Sequence, residues 1–292
     1  MQGTFHRLYE VRDAKGERLL RISALSGKYD VLCMALEART MGQLRASGIP
    51  IPSCEFREID DDGIFRGAHL IQRAPGICLT ELDHDERRMN AALADVGRFL
   101  ARLHHVKGWH WGPVSLAAPG DHNVDFVGIH QRWTDHVLLR LDEHVELCVR
   151  RGAVSPAEAQ EIGDCVERFR AVLILDQAPA FLHGDPGSHN FMVDDVSVCA
   201  AIDWEDALLG DPIFDVASLC TFHPERRHAA IWAGYGGAPI VGDDTWLRFW
   251  LYFLRISLAK TVHRFRFSYP DPPDRVPPSQ RIQLALNRLN SR

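Results

Sequence analysis

Apolar and polar positions follow two rhythms along the 292-residue chain, and the rhythm changes near residue 75. Before that point, short β-prone runs alternate with turn signals. GTFHRLYEVRD (3–13) and GERLLRIS (16–23) flank Ala14–Lys15–Gly16, which predicts a hairpin. Residues from about Tyr29 to Ala46 predict a helix, stopped by Gly48, Pro50 and Pro52. CEFREID (54–60) and IFRGAHLIQ (64–72) predict a second hairpin around Asp61–Asp62–Gly63. Gln72–Arg73–Ala74–Pro75–Gly76 then breaks the pattern, so residues 1–75 are expected to form one lobe and 76–292 another.

Beyond the break the helical period dominates. Met89, Leu93, Val96, Leu100 and Leu103 make one apolar stripe, and Ala159, Ile162, Val166, Phe169 and Leu173 another. Ser155–Pro156–Ala157–Glu158 is a capping box with proline at the first helical position. Trp246 to about Phe265 is apolar around most of its circumference and predicts a buried helix. Tyr269 to Ser279 carries five prolines and predicts an irregular link before a final helix, about Gln280 to Leu289. One hairpin interrupts the helices: Phe191–Met192–Val193 and Val198–Cys199–Ala200–Ala201–Ile202 flank a turn at Asp194–Asp195–Val196–Ser197. Asn190 just before the first run and Asp203 just after the second have their midpoint inside that turn, so the open end of the hairpin places them side by side. Both offer oxygen, which suits Mg²⁺ better than zinc. Asp185 lies five residues upstream of Asn190, close enough to face the same space.

Composition narrows the classes. With 46% hydrophobic and 25% charged residues the chain is globular and long enough to bury a core unaided. No apolar run reaches the length of a membrane span, and MQGTFHRLYEV lacks the layout of a signal peptide. The seven cysteines are scattered without a CxxC pair, so all seven are expected to be small buried residues in a reducing, cytoplasmic setting. A net charge of −6 argues against a nucleic-acid partner. Residues 1–75 hold 11 Lys/Arg and 10 Asp/Glu, whereas the remainder holds 22 and 29, an excess that would favour a cationic ligand.

His183, Asp185, His189 and Asn190 crowd into FLHGDPGSHNFMVDD (181–195), which could be a polar loop, a metal site or a catalytic loop. An oxygen-ligand pair beside a free carboxylate is the arrangement of phosphoryl transfer, where the metal bridges ATP phosphates and the carboxylate aims a substrate hydroxyl. His183-Gly184-Asp185-x-x-x-x-Asn190, then Ile202-Asp203-Trp204-Glu205, then Gly210-Asp211-Pro212-x-x-Asp215, resembles the aminoglycoside phosphotransferase and choline kinase-like family. Gly187–Ser188 before Asn190 and the Trp204–Glu205 stretch point within it to hygromycin B-modifying members. The resemblance runs from Gly3 to about Arg264.

It implies an α+β, bilobal protein kinase-like fold, with a small β-rich N-terminal lobe and a larger, mostly helical C-terminal lobe. ATP, or GTP, would sit between the lobes with Mg²⁺. Asp185 would be the catalytic base, Asn190 and Asp203 the metal ligands, and Asp215 the brace of the catalytic loop. His183 would orient that loop, and His189 receives no role. On the nucleotide side, Thr4 and Phe5 would cover the phosphates. Arg21, paired with Glu37, would stand where kinases carry a lysine, with Lys28 as its rival. Adenine would meet the backbone from Gln72 to Ala74. Members of the family carry another strand before the phosphate loop, on which this chain almost begins. The activity implied is phosphorylation of a small hydroxylated, cationic acceptor by a monomer, with a hygromycin B-like aminoglycoside first and resistance as the consequence. Another sugar, a nucleoside antibiotic, a macrolide or an amino alcohol is the alternative acceptor, and a non-catalytic pseudokinase is the alternative of another class. Trp109 to Trp111, the helix around Trp133 and Asp135, the Asp206 region and the long helix around Trp250 are the candidate acceptor walls, with core filling the safer reading for Trp109, His110, Trp111 and Trp133.

Overall fold

The structure, a computed structural model, describes residues 6–13, 16–24, 28–61, 64–115, 126–269 and 276–291. Gly3, Thr4 and Phe5, the turn residues Ala14, Lys15, Asp62 and Gly63, and the Lys28 side chain lie outside the described residues.

Strands β1 (His6–Asp13) and β2 (Gly16–Ser23) form the first expected hairpin. After helix α1 (Lys28–Ala46), β3 (Cys54–Asp61) and β4 (Ile64–Gln72) form the second, and the four strands make one antiparallel sheet in the order β1-β2-β4-β3. Helix α1 lies tightly on this sheet. A Cβ on Gly67 of β4 would come within 2.7 Å of the Met34 sulfur, and the His69 ring bonds the Met34 carbonyl at 2.7 Å.

A short β5 (Ile77–Cys78) leads into α2 (Glu86–Leu103), whose stripe Met89, Leu93, Val96, Leu100 and Leu103 is wholly buried as its spacing predicts. β6 (Trp111–Val114), β7 (Gly128–His130), α3 (Trp133–Val137), α4 (Leu141–Arg150) and α5 (Pro156–Arg168) follow. The Ser155 hydroxyl accepts from Glu158 N, and the Glu158 carboxylate accepts from Ser155 N, closing the expected box at the start of α5. That helix ends at Arg168, and Leu173 of the expected stripe sits in a separate 3₁₀ turn. Then come β8 (Ala180–Leu182), β9 (Phe191–Asp194), β10 (Ser197–Ala201), β11 (Leu208–Gly210), α6 (Pro212–Cys220), α7 (His228–Tyr235), α8 (Asp244–Phe267) and α9 (Pro278–Asn290). Helix α8 is buried along most of its 24 residues and packs against α4, α6 and α9.

The expected lone hairpin belongs to a three-stranded sheet, β10-β9-β5, and the same part of the chain forms a further four-stranded sheet, β7-β6-β11-β8. Three cysteines, Cys148, Cys165 and Cys220, are buried, but Cys33, Cys54, Cys78 and Cys199 are only partly so, because they sit on strands and a helix nearer the surface. Among the described residues no helix is long and apolar enough to cross a membrane.

Helices α2 and α7 meet where side chains are smallest. A Cβ on Gly234 would stand 1.8 Å from the Ala94 carbonyl oxygen, so the two backbones touch. Gly234→Ala should therefore force α7 off α2 and cost about 1–3 kcal/mol, read as a lower urea midpoint. An unchanged midpoint would contradict this contact.

Candidate active site

Strand β8 is wholly apolar and buried, and it carries the chain into the loop that starts at His183. Two consecutive backbone amides there point at one carboxylate. His183 N donates to Asp215 Oδ2 at 2.7 Å, and Gly184 N to Asp215 Oδ1 at 3.0 Å. Asp215 is fully buried in the first turn of α6, which Asp211 caps by accepting from Ile213 N at 3.1 Å. His104, the C-cap of α2, approaches Asp215 Oδ2 at 3.3 Å and bonds the Tyr235 hydroxyl at 2.8 Å. Gly184 has φ +86°, and a Cβ there would stand 2.0 Å from the Asp206 carbonyl, so only glycine fits.

The loop is tied a second time through His183. Its Nε2 lies 3.0 Å from the Ile202 carbonyl, which can only accept, so that nitrogen carries the proton. The ring packs on Trp204 with centroids 4.5 Å apart. His183 is thus a clamp between two loops, in line with the orienting role expected of it.

Asn190 and Asp203 do not face each other directly. A bulge at Cys199 shifts the register, so Ala201 pairs with Phe191 and Ile202 N donates to the Asn190 carbonyl at 3.0 Å. Asp203 therefore falls one residue beyond the partner of Asn190, and without the bulge it would fall two beyond. Its φ of 65° turns the chain sharply at that point. The Asn190 amide nitrogen donates to the Asp185 carbonyl at 2.9 Å, which directs the amide oxygen the other way, as a cation ligand requires. The Asp203 carboxylate is 45% exposed, with Arg21 Nη1 at 3.8 Å. Burial, reinforced by Glu205, raises its pKa, and a divalent cation would lower it again. Among the described residues no three His, Cys, Asp or Glu side chains gather as metal ligands. A cation here would depend on this amide, this carboxylate and oxygens of the nucleotide, the donor set that Mg²⁺ favours.

Asp185 faces a cavity of about 700 Å³. Burial would raise its pKa, but a hydrogen bond from His189 and the charge of Lys260 outweigh this and hold the carboxyl below the usual carboxylate range. His189 Nε2 lies 3.3 Å from Oδ2, and Lys260 Nζ 3.8 Å from Oδ1.

Arg21 and Glu37 meet as expected, at 2.8 Å, and both are buried. Arg21 also reaches Glu205 at 2.9 Å, while Glu37 accepts from Trp204 N at 3.3 Å. Burial alone would lower the Arg21 pKa, but Glu37, Asp203 and Glu205 together raise it. The pair thus links the first sheet and α1 to the segment that carries Asp203. Gln72 and Ala74 line a separate cavity of about 390 Å³ with Pro50, Ile51 and Cys199.

The helix around Trp133, the Asp206 region and the long helix α8 border the cavity as expected, but the tryptophans themselves do not. Trp111, Trp133 and Trp250 are core residues, and Trp133 donates through Nε1 to the Tyr252 hydroxyl at 2.8 Å. Trp109 is half exposed, and Asp135 is bound to Arg132 at 2.9 Å. None of these lines the cavity beside Asp185, whereas Asp206 does. The other described walls come mainly from α8 and from the segment between His136 and His144, with Phe214 of α6 and Phe222 beside them. The acidic excess of the lobe is not repeated here, where Arg140, Arg255, Lys260, Arg264 and Arg281 accompany Asp185 and Asp206. The sequence pattern marked α8 as buried but could not tell which of its faces borders a cavity.

A sheet packed with one helix, and a predominantly helical remainder that braces the loop, form the bilobal α+β protein kinase-like fold. The chain belongs to the Phosphotransferase enzyme family (APH), which residues 2–250 match. It is 26% identical over 238 residues to hygromycin-B 4-O-kinase of Escherichia coli, a match covering 73% of this chain and 60% of that protein. The chain thus spans less than two thirds of that relative. A thermostable mutant of aminoglycoside phosphotransferase APH(4)-Ia, in ternary complex with AMP-PNP and hygromycin B, superposes with a TM-score of 0.72 at 18% identity, covering 100% of this chain and 93% of that one. A choline/ethanolamine kinase family protein from Mesorhizobium loti gives 0.60 at 15% identity, covering 100% and 87%. At these identities the two structures establish the fold.

Asp215→Asn would turn an amide N–H₂ toward one of the two backbone donors. The expected loss is about 1–3 kcal/mol in urea unfolding, and an unchanged stability would contradict the brace.

Proposed function

We propose that the chain transfers the γ-phosphate of ATP, with Mg²⁺, to a hydroxyl of a small molecule held beside Asp185. The observation that carries this reading is one loop. Its amides bind Asp215, its carbonyl orients Asn190, and its carboxylate opens on a cavity of small-molecule size. In this reading Asp185 accepts the hydrogen of the attacking hydroxyl. Its depressed pKa makes it a weak base, so its contribution is to aim the oxygen. Asn190 and Asp203 hold the cation, which when bound neutralises phosphate charge. Arg21, fixed by Glu37, faces the phosphates. Thr4 and Phe5 would cover them, and Gln72 to Ala74 would meet the base, with GTP the other candidate donor. Residues 1–75 form the nucleotide lobe and 76–292 the catalytic and acceptor lobe. The protein acts as a cytoplasmic monomer.

The resemblance and the name of the Escherichia coli relative favour a hygromycin B-like aminoglycoside as acceptor. Asp206 would then receive an ammonium group, and the added phosphate would spoil the antibiotic's binding to a polyanionic target, which is resistance. The cations along α8 support a second reading, an acceptor with uncharged or anionic substituents.

Mass spectrometry of a mixed pool of hydroxylated compounds, incubated with ATP and Mg²⁺, should show one member gaining a single phosphate. Asp185→Asn should cut that turnover about 1,000-fold while AMP-PNP still binds. Full turnover in this variant would sink the assignment.

The acceptor's charge can be tested separately. Burial, with Asp185, Glu205 and Asp203 nearby, pushes the Asp206 carboxyl up to about 7. Its negative charge grows as pH rises through that value, so affinity for hygromycin B should rise between about pH 6 and about pH 8. Asp206→Asn should flatten the rise. Equal wild-type affinity at both pH values, by calorimetry, would favour the second reading.

A further inference from the structure

Lys260 enters none of the roles above, yet it ends at the group on which they turn. It lies on α8, beside Ile256, Ala259 and His263 on the wall of the Asp185 cavity. Three described contacts hold its ammonium. Nζ is 3.8 Å from Asp185 Oδ1, donates to the Thr221 hydroxyl at 3.1 Å, and stands 3.2 Å from the centroid of the Phe222 ring. Thr221 is the C-cap of α6, where the negative end of the helix dipole favours a cation. The Phe222 face adds a cation–π attraction.

The same ring meets His189 edge-on at 5.5 Å, and His189 takes the other oxygen of Asp185. The carboxylate is therefore gripped from two sides by groups that share one aromatic platform. The grips are unequal. His189 belongs to the loop itself and is 45% exposed, whereas Lys260 projects from a long buried helix. A carboxylate held only from within its own loop can swing with that loop. One also facing a fixed cation on another element cannot turn without losing that attraction.

We infer that Lys260 is a positioning residue for phosphoryl transfer, setting the direction of the Asp185 carboxylate from the α8 wall of the acceptor cavity. The inference rests on the phosphotransfer reading above.

The test uses Mg²⁺-dependent ATP hydrolysis without an added acceptor, with water as nucleophile, so the natural acceptor need not be known. Wild type, Lys260→Met, Lys260→Arg, Asp185→Asn and the double variant are compared, after each is shown to bind AMP-PNP by its melting shift. Lys260→Met should lower kcat about 30-fold with KM for ATP within about twofold. Lys260→Arg should restore most of the rate, because a cation returns to the same wall. In the Asp185→Asn background, Lys260→Met should cost nothing further, since the group it positions is gone. Full activity in Lys260→Met, or an equal loss with and without the Asp185 carboxylate, would overturn the inference. If Lys260→Met fails to bind AMP-PNP, Lys260→Gln takes its place in the cycle. A wild type as inactive as Asp185→Asn would sink the phosphotransfer reading, and this inference with it.

Discussion

Two neighbouring amides, His183 N and Gly184 N, have no strand to bond because the chain turns there, and Asp215 supplies both acceptors from another element. An unsatisfied buried N–H costs about as much as a lost hydrogen bond, so this carboxylate decides whether the loop can exist in its observed shape. Everything downstream inherits that shape. The loop carbonyl that orients Asn190, the carboxylate that faces the cavity and the close approach of Gly184 to Asp206 all lie within a few residues of it. Asp215 is itself fixed in α6 and contacted by His104, the C-cap of α2, so the loop is referenced to the helical core.

A second link joins the N-terminal sheet to this frame. Arg21 sits between Glu37 on α1 and Glu205 beyond Asp203, and Glu37 also accepts from Trp204 N. A buried guanidinium is tolerable only when its donors are matched, and here the match crosses from one part of the fold to the other. Any movement of α1 is thereby coupled to the segment that would grip the cation.

The sequence disclosed these arrangements unevenly. The α2 stripe, the Ser155 box and the buried character of α8 could be read from spacing and capping chemistry, which are local. The Arg21–Glu37 pair followed from the family resemblance of the block 183–215. The β5 addition and the β7-β6-β11-β8 sheet were not legible, because strands of two to four residues, one of them WGPV, carry no measurable period. The Cys199 bulge was equally hidden. At the bulge Cys199 Sγ meets the Pro75 carbonyl at 3.1 Å, a contact across more than a hundred residues, and the shift brings Asp203 to within one place of the partner of Asn190. The elements that border the cavity were legible but the side chains were not: the buried tryptophans fill core, as aromatics commonly do, while charged residues of a helix apolar around most of its circumference face the cavity.

The central claim is spatial: a cation gripped by Asn190 and Asp203, with Asp185 facing both the terminal phosphate and the neighbouring cavity. A crystal structure of the chain with AMP-PNP and Mg²⁺ tests it most directly. The account predicts the cation bound to the Asn190 amide oxygen and the Asp203 carboxylate, with the γ-phosphate directed toward Asp185. Nucleotide bound elsewhere, or a cation that ignores these two side chains, would contradict it.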